Sequence, residues 1–240
     1  MGRGQGGINM DYNLMADSFD VYKEKDVTSW VLGYRNVIKY LVPLSNKRIL
    51  DYGCGTGKFS RFLRGRGAKV IGVDVAERMI DLAKNHDSKD VQYFTVKSGE
   101  LDFIESFSLD YAVCNFVLCT LPSEAEIVKV LKEVNRVLRR DGLLVILNVN
   151  VEKCTGKEFI SLKVDNVNNL TSGQEIGITL KSKKPLRVID YFWSQEDYAD
   201  MLAEANFKIY ATQEPIATDK DHEWIDEDQC SPLLIIVAKK

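Results

Sequence analysis

The sequence lacks any stretch approaching the roughly 18 consecutive apolar residues of a membrane-crossing helix, and its first residues lack the apolar core of a secretory signal. A soluble, cytoplasmic protein is expected, without a membrane partner. Paired cysteines are also missing. Cys54, Cys114, Cys119, Cys154 and Cys230 show no C-x-x-C spacing, which argues against a structural zinc or a disulfide framework and for a reducing compartment. No metal site is expected. Positive charge is not in excess either: the formal net charge of −3 provides no global field to draw in a polyanion. Histidine is scarce, and His86 and His222 are the only imidazoles available as bases.

What is present is a chain of 240 residues, 45% hydrophobic and 28% charged, enough for one α/β domain with a single sizeable core. Met1 to Gly7 is too glycine-rich to pack, so residues 1–10 are read as a flexible tail. From Val27, apolar Trp30, Val31, Tyr34, Val37, Ile38 and Leu41 recur at helical spacing until Pro43. Arg48–Asp51 then reads as a buried strand, Lys58–Leu63 as a helix and Ala68–Asp74 as a second strand, which is a βαβ unit. The rhythm continues with a helix over Glu77–Lys84, strands over Val91–Val96 and Leu109–Asn115, and a helix that starts at the capping-box spacing Ser123 to Glu126. Leu143–Leu147 is an unbroken apolar run, as in a strand covered on both faces. From Val151 to Lys184 the rhythm is lost, with a short alternating stretch at Ile176–Leu180, and an inserted lid is expected there. A helix from Ser194 and a last strand over Leu233–Ala238 close the chain.

The chemistry is concentrated in Asp51-Tyr52-Gly53-Cys54-Gly55-Thr56-Gly57. Glycines between a strand and its helix let a ligand approach the backbone, and the free N–H groups at the helix start favour an anionic group such as a carboxylate or phosphate. Dinucleotide folds use G-x-G-x-x-G; here the third glycine comes one residue earlier, and an acid stands two residues before the first.

The pattern Asp-x-Gly-x-Gly-x-Gly at a strand end resembles the cofactor loop of class I S-adenosylmethionine-dependent methyltransferases. The resemblance runs from about Tyr12 to Leu147. It implies a Rossmann-like, doubly wound, mostly parallel seven-stranded sheet with an antiparallel last strand, N-terminal helices and a small lid insertion. It further implies one methyltransferase domain over 11–240, divided into a helical cap (11–45), a cofactor-binding core (46–150), a lid (151–188) and a C-terminal helix with strands (189–240). S-adenosylmethionine is the implied cofactor. Asp51 would lie near its methionine ammonium, with Gly53, Cys54, Gly55 and Gly57 along it. Asp74, which ends the second strand, would take the ribose hydroxyls, beside Val75. Met79 would stack on the adenine, although a plain core methionine fits equally well. Asn115 and Phe116 would stand beside the reacting centre. Lys97 occupies the position where relatives carry an acid for the adenine amino group, so backbone contacts from Ser98 and Gly99 are expected instead. Cys119-Thr120 replaces a His-His pair of small-molecule relatives, so no general base carries over.

An amine or carboxylate acceptor needs only its correct protonation state, whereas an alcohol or phenol needs a proton acceptor within reach. Tyr22, His222 and Tyr191 are the catalytic candidates. Tyr12, Trp30, Arg35, Phe192 and Trp193 are candidates for an aromatic substrate pocket, together with Phe19 and Asp190. A small-molecule methyl acceptor, methylated at nitrogen or oxygen, is the leading reading. Asn115-Phe116-Val117-Leu118 lacks the prolines that grip a flipped base, which with the acidic balance argues against nucleic acid. A nucleic-acid or protein methyltransferase, and a catalytically silent S-adenosylmethionine-binding protein, stay open as alternatives. Monomer and homodimer are equally compatible with the sequence.

Overall fold

The computed structural model describes residues 10–23, 26–86, 90–218 and 220–240, so the glycine-rich start lies outside the described residues apart from Met10. Helix α1 (Tyr12–Lys23) comes first, and a π-helical turn (Ser29–Tyr34) then runs directly into α2 (Arg35–Tyr40). The βα alternation comes next: β1 (Arg48–Tyr52), α3 (Lys58–Arg64), β2 (Lys69–Asp74), α4 (Glu77–His86), β3 (Gln92–Thr95), β4 (Leu109–Asn115), α5 (Glu124–Val137) and β5 (Leu138–Val149). After a short helix α6 (Val151–Cys154) come β6 (Leu162–Val164), β7 (Glu175–Leu180) and β8 (Leu186–Tyr191). Helix α7 (Gln195–Glu204), β9 (Lys208–Gln213) and β10 (Leu233–Lys239) complete the chain.

The main sheet has seven strands in the order β3-β2-β1-β4-β5-β10-β9, and β10 alone runs opposite to the other six. Its central strands are buried on both faces, as their continuous apolar runs require. Leu50, Ala112 and Ile146 pack towards α5 and α7, while Ile49, Val113 and Val145 pack towards α2, α3 and α4. Burying each Leu, Ile or Val side chain of this kind contributes about 1.5–3 kcal/mol. An exposed pair such as Arg187 with Asp165 contributes at most about 1 kcal/mol. The strand interiors, not surface charge, therefore hold the sheet. Ser123 caps α5 by accepting from the Glu126 N–H at 3.3 Å, and Ser194 and Asp197 form a reciprocal capping box on α7.

The order reverses at β1: the chain leaves it for β2 and β3, then returns on its other side as β4. Ligands of doubly wound sheets lie in the crevice outside the strand ends at such a reversal. The stretch after β5 forms a second, three-stranded antiparallel sheet, β6-β7-β8. Its apolar face, including Leu162, Ile176, Ile178 and Val188, packs on Tyr22 of α1 in a cluster of its own. This sheet extends to Tyr191, past the expected lid boundary at 188, because β8 pairs with β7 along its whole length. Among the described residues no helix is long and apolar enough to cross a membrane.

Candidate functional site

The loop after β1 turns through three left-handed glycines: Gly53 (φ 71°), Gly55 (φ 53°) and Gly57 (φ 76°). A side chain at these angles is strained, but glycine is not. The Gly53 and Cys54 N–H groups both donate to the Val73 carbonyl, at 2.8 and 2.9 Å, which ties the loop to β2. Gly53 leaves no room for a Cβ, which would collide with Cγ2 of Val117. At Gly55 a Cβ would meet nothing within 4 Å, since this residue borders a cavity of about 230 Å³.

That cavity is lined by Asp51, Gly53, Cys54, Gly55, Asp74, Val75, Met79, Ser98, Asn115 and Phe116 from the expected set, and by Tyr12 and Phe19 of α1. Asp51, 2% exposed, accepts from the Ser60 hydroxyl at 2.5 Å. Burial raises its carboxyl to about 6 against that hydrogen bond, with the charge of Asp74 adding to the rise. Asp74 is also raised by burial; its two oxygens accept from the N–H groups of Gly55 and Ala76, each at 2.9 Å, which fix its orientation. The Asn115 amide is buried at the cavity wall with neither Nδ2 nor Oδ1 partnered among the described residues, so it is ready for a polar ligand group. Phe116 holds a positive φ of 57°, and its N–H donates to the Leu147 carbonyl at 2.6 Å. Backbone strain of this kind is retained where neighbouring structure over-determines it.

A second chamber, of about 80 Å³, adjoins the first: Tyr12, Phe19, Phe116 and Thr120 line both. Its remaining walls come from the second sheet, with Leu162, Ile178, Leu180, Val188 and Asp190, and from Tyr22, Ser29 and Val149 at the end of β5. Burial pushes the Tyr12 phenol upward, and its hydroxyl shares a hydrogen bond with the Thr120 side chain. Tyr22 is likewise pushed well up by burial, beside Asp26. Asp190 is buried, and its carboxyl is raised to about 7 by desolvation, partly offset by a hydrogen bond from the Cys119 thiol.

Other expected residues lie elsewhere. Gly57 sits behind the loop, where a Cβ would collide with the Tyr93 hydroxyl, so its role is in the turn. Gly99 spends its N–H inward on the Tyr52 hydroxyl at 2.8 Å, and Lys97 is exposed. Trp30 does not reach either cavity; it packs edge-on against Phe62 with ring centres 4.8 Å apart. Arg35 is exposed at the start of α2. The wider turn of the π-helical segment shifts the phase of the helix beyond it, and Tyr34 takes the place at the cavity, stacked on Phe59 at 4.8 Å. Phe192, Trp193 and Tyr191 face a smaller third cavity of about 20 Å³. Trp193 still acts on the site at one remove, since its indole N–H donates to the carbonyl of cavity-lining Leu121 at 3.3 Å. His222 packs on Trp224 at 4.8 Å, away from both cavities, and His86 pairs with Asp20. Sequence reasoning does not find Tyr34 and Thr120 as site residues. Strand alternation after Val188 is the available signal that Asp190 and Tyr191 face opposite ways.

A family model described as a methyltransferase domain matches residues 50–146. N-demethylindolmycin N-methyltransferase of Streptomyces griseus is 28% identical over 210 residues, covering 83% of this chain and 88% of that protein. Among solved structures, the CcbJ methyltransferase of Streptomyces caelestis has a TM-score of 0.70 at 16% identity, covering 96% of this chain and 98% of that one. The 1,6-didemethyltoxoflavin-N1-methyltransferase of Burkholderia thailandensis, in a structure with bound 1,6-didemethyltoxoflavin and S-adenosylhomocysteine, has a TM-score of 0.60 at 16% identity, covering 100% of this chain and 93% of that one. Likeness at these structural identities is a likeness of fold.

Proposed function

The chain belongs to the class I S-adenosylmethionine-dependent methyltransferases, and on that premise we propose that it methylates a nitrogen or oxygen atom of a small molecule held in the chamber beside Phe116. The carrying observation is that this chamber and the larger cavity share the wall made by Tyr12, Phe19, Phe116 and Thr120. A donor in one and an acceptor in the other meet there.

The larger cavity suits the cofactor on its own chemistry. A glycine cradle that a Cβ would fill, an unpartnered Asn115 amide and a buried Asp51 carboxylate without a cationic partner among the described residues all call for a polar, partly cationic ligand. Asp51 would take the methionine ammonium and Asp74 the ribose hydroxyls, while Val75 and Met79, which also line the cavity, would flank the adenine. When bound, S-adenosylmethionine supplies a methyl group on a sulfonium, which needs an aligned nucleophile and the exclusion of water. Asn115 and the Phe116 backbone position the acceptor side of that cavity, and the aromatic wall keeps water out. The second sheet roofs the chamber, which favours a small acceptor over a duplex or a folded protein. The Streptomyces griseus and Burkholderia thailandensis proteins are named as N-methyltransferases, which supports nitrogen as the acceptor atom.

The test is incubation with methyl-labelled S-adenosylmethionine and a panel of amines, acids and phenols. Label on a panel member, with S-adenosylhomocysteine released in equal amount, is the expected result. Cofactor binding with no transfer to any acceptor class would instead favour a silent binding protein.

A further inference from the structure

Asp190 stands out as a charge-bearing group without a counter-charge among the described residues. It lies on β8, 6% exposed, and opens into a chamber whose other walls from the second sheet are Leu162, Ile178, Leu180 and Val188. No ion pair among the described residues reaches it; its hydrogen-bond neighbour is the Cys119 thiol. An isolated carboxylate in such surroundings loses its hydration, which drives it towards its neutral form unless a cation arrives. Its carboxyl is correspondingly raised to about 7. The titratable groups that face it are Cys119 from the turn after β4, Tyr12 from α1 and Tyr198 from α7, and burial pushes all three upward. All are therefore neutral near neutral pH, and none supplies positive charge.

Four of the chamber's remaining wall residues are aromatic, Tyr12, Phe19, Tyr22 and Phe116, and they stand beside Ser29, Thr120 and Val149. Aromatic faces attract cations through the ring quadrupole, most strongly where water is excluded. A carboxylic acid acceptor would meet like charge at Asp190, and an alcohol or phenol would gain one hydrogen bond there. An ammonium group gains both the counter-charge and the aromatic walls.

We propose that the chamber recognises a hydrophobic amine, with Asp190 as the partner of its ammonium group. This rests on the methyltransferase reading and names the acceptor class within it. Methylation needs the nitrogen lone pair, so the bound ammonium must lose a proton. The N–H bond breaks with its electron pair remaining on nitrogen, and the proton passes to the Asp190 carboxylate. Asp190 is thereby a specificity-determining residue that also touches the reacting nitrogen.

The experiment is calorimetric binding of benzylamine and of its uncharged counterpart benzyl alcohol, at millimolar concentrations, to protein saturated with S-adenosylhomocysteine. Wild type is compared with Asp190→Asn and Asp190→Glu. At about pH 8 the wild type should bind the amine at least about tenfold more tightly than the alcohol. The preference should shrink below about pH 7, as Asp190 takes up its proton. Asp190→Asn should abolish it and Asp190→Glu retain part of it, with S-adenosylhomocysteine affinity within about twofold of wild type in both, a sign that the fold is intact. Equal binding of the two probes by wild type, a preference that survives in Asp190→Asn, or no benzylamine binding at all would overturn the amine assignment alone. Failure of wild type to bind S-adenosylhomocysteine would overturn the methyltransferase reading, and the amine assignment with it.

Discussion

Burial leaves the Asp51 carboxylate with the Ser60 hydroxyl as its close partner and raises its carboxyl from 3.8 to about 6. The folded chain therefore prefers the neutral acid. Its contribution to stability is fully present below about 3.8, falls as pH rises, and is lost above about 6. At about 1.4 kcal/mol for each tenfold in acidity, the ionised form costs on the order of 3 kcal/mol at neutral pH. A cationic ligand group would offset that cost, so stability and binding are opposed at this residue. Asp51→Asn keeps the size of the side chain and an acceptor for Ser60. It should raise the melting temperature of the cofactor-free protein at about pH 8 by several degrees, with little effect at about pH 4. The same variant should weaken S-adenosylmethionine binding at least about tenfold. Thermal melts at the two pH values and calorimetry check both halves, and a lower melting temperature at about pH 8 would contradict the burial account.

At the scale of the element, the glycine loop separates stability from binding position by position. Alanine at Gly53 combines a left-handed φ with a Cβ that collides with Val117 Cγ2, whereas alanine at Gly55 has the left-handed φ but open space. Gly53→Ala should destabilise by about 3 kcal/mol or more, and adding Val117→Ala should recover the steric part, leaving about 1–2 kcal/mol of backbone strain. Gly55→Ala should lose only the strain in stability, yet lose cofactor affinity more than tenfold because its methyl enters the cavity. Chemical denaturation and calorimetry on the single and double variants separate the two effects. Within this loop the sequence is a good guide, since glycine spacing reports φ directly. Along the preceding helix it is not. Apolar spacing from Val27 to Leu41 gives a helix, but not the π-helical turn at Ser29–Tyr34 that brings Tyr34 to the cavity and leaves Trp30 and Arg35 outside.

At the scale of the whole molecule, Glu227 joins three distant parts of the chain. Fully buried, it accepts from the Thr28 hydroxyl at 2.8 Å, the Ile160 N–H at 2.7 Å and the Ile225 N–H at 3.0 Å. Thr28 and Ser161 add a reciprocal pair, from the Thr28 N–H at 3.0 Å and the Ser161 N–H at 3.2 Å. These bonds hold the start of the second sheet against the N-terminal helices, with the proposed acceptor chamber between them. Glu227→Ala orphans three donors and should cost about 3–5 kcal/mol. It should also weaken acceptor binding more than cofactor binding, because Leu162 and Ile178 wall the chamber while the larger cavity is built from β1, β2 and β4. Equal losses in both affinities, measured by calorimetry, would show that the second sheet does not shape the chamber separately.

The cofactor half of this protein is written in local sequence pattern. Asp51, the glycines, Asp74 and Asn115 lie at strand ends whose order comes from local periodicity, and the doubly wound topology brings those ends together at the reversal beside β1. The proposed acceptor half depends on tertiary packing. Tyr12, Phe116, Thr120, Ile178 and Asp190 come from separate elements, and only the docking of the second sheet on α1 makes them neighbours. No spacing along the chain encodes that contact. It is set by burial of two apolar faces against each other, and many sequences with the same spacing would serve it equally well.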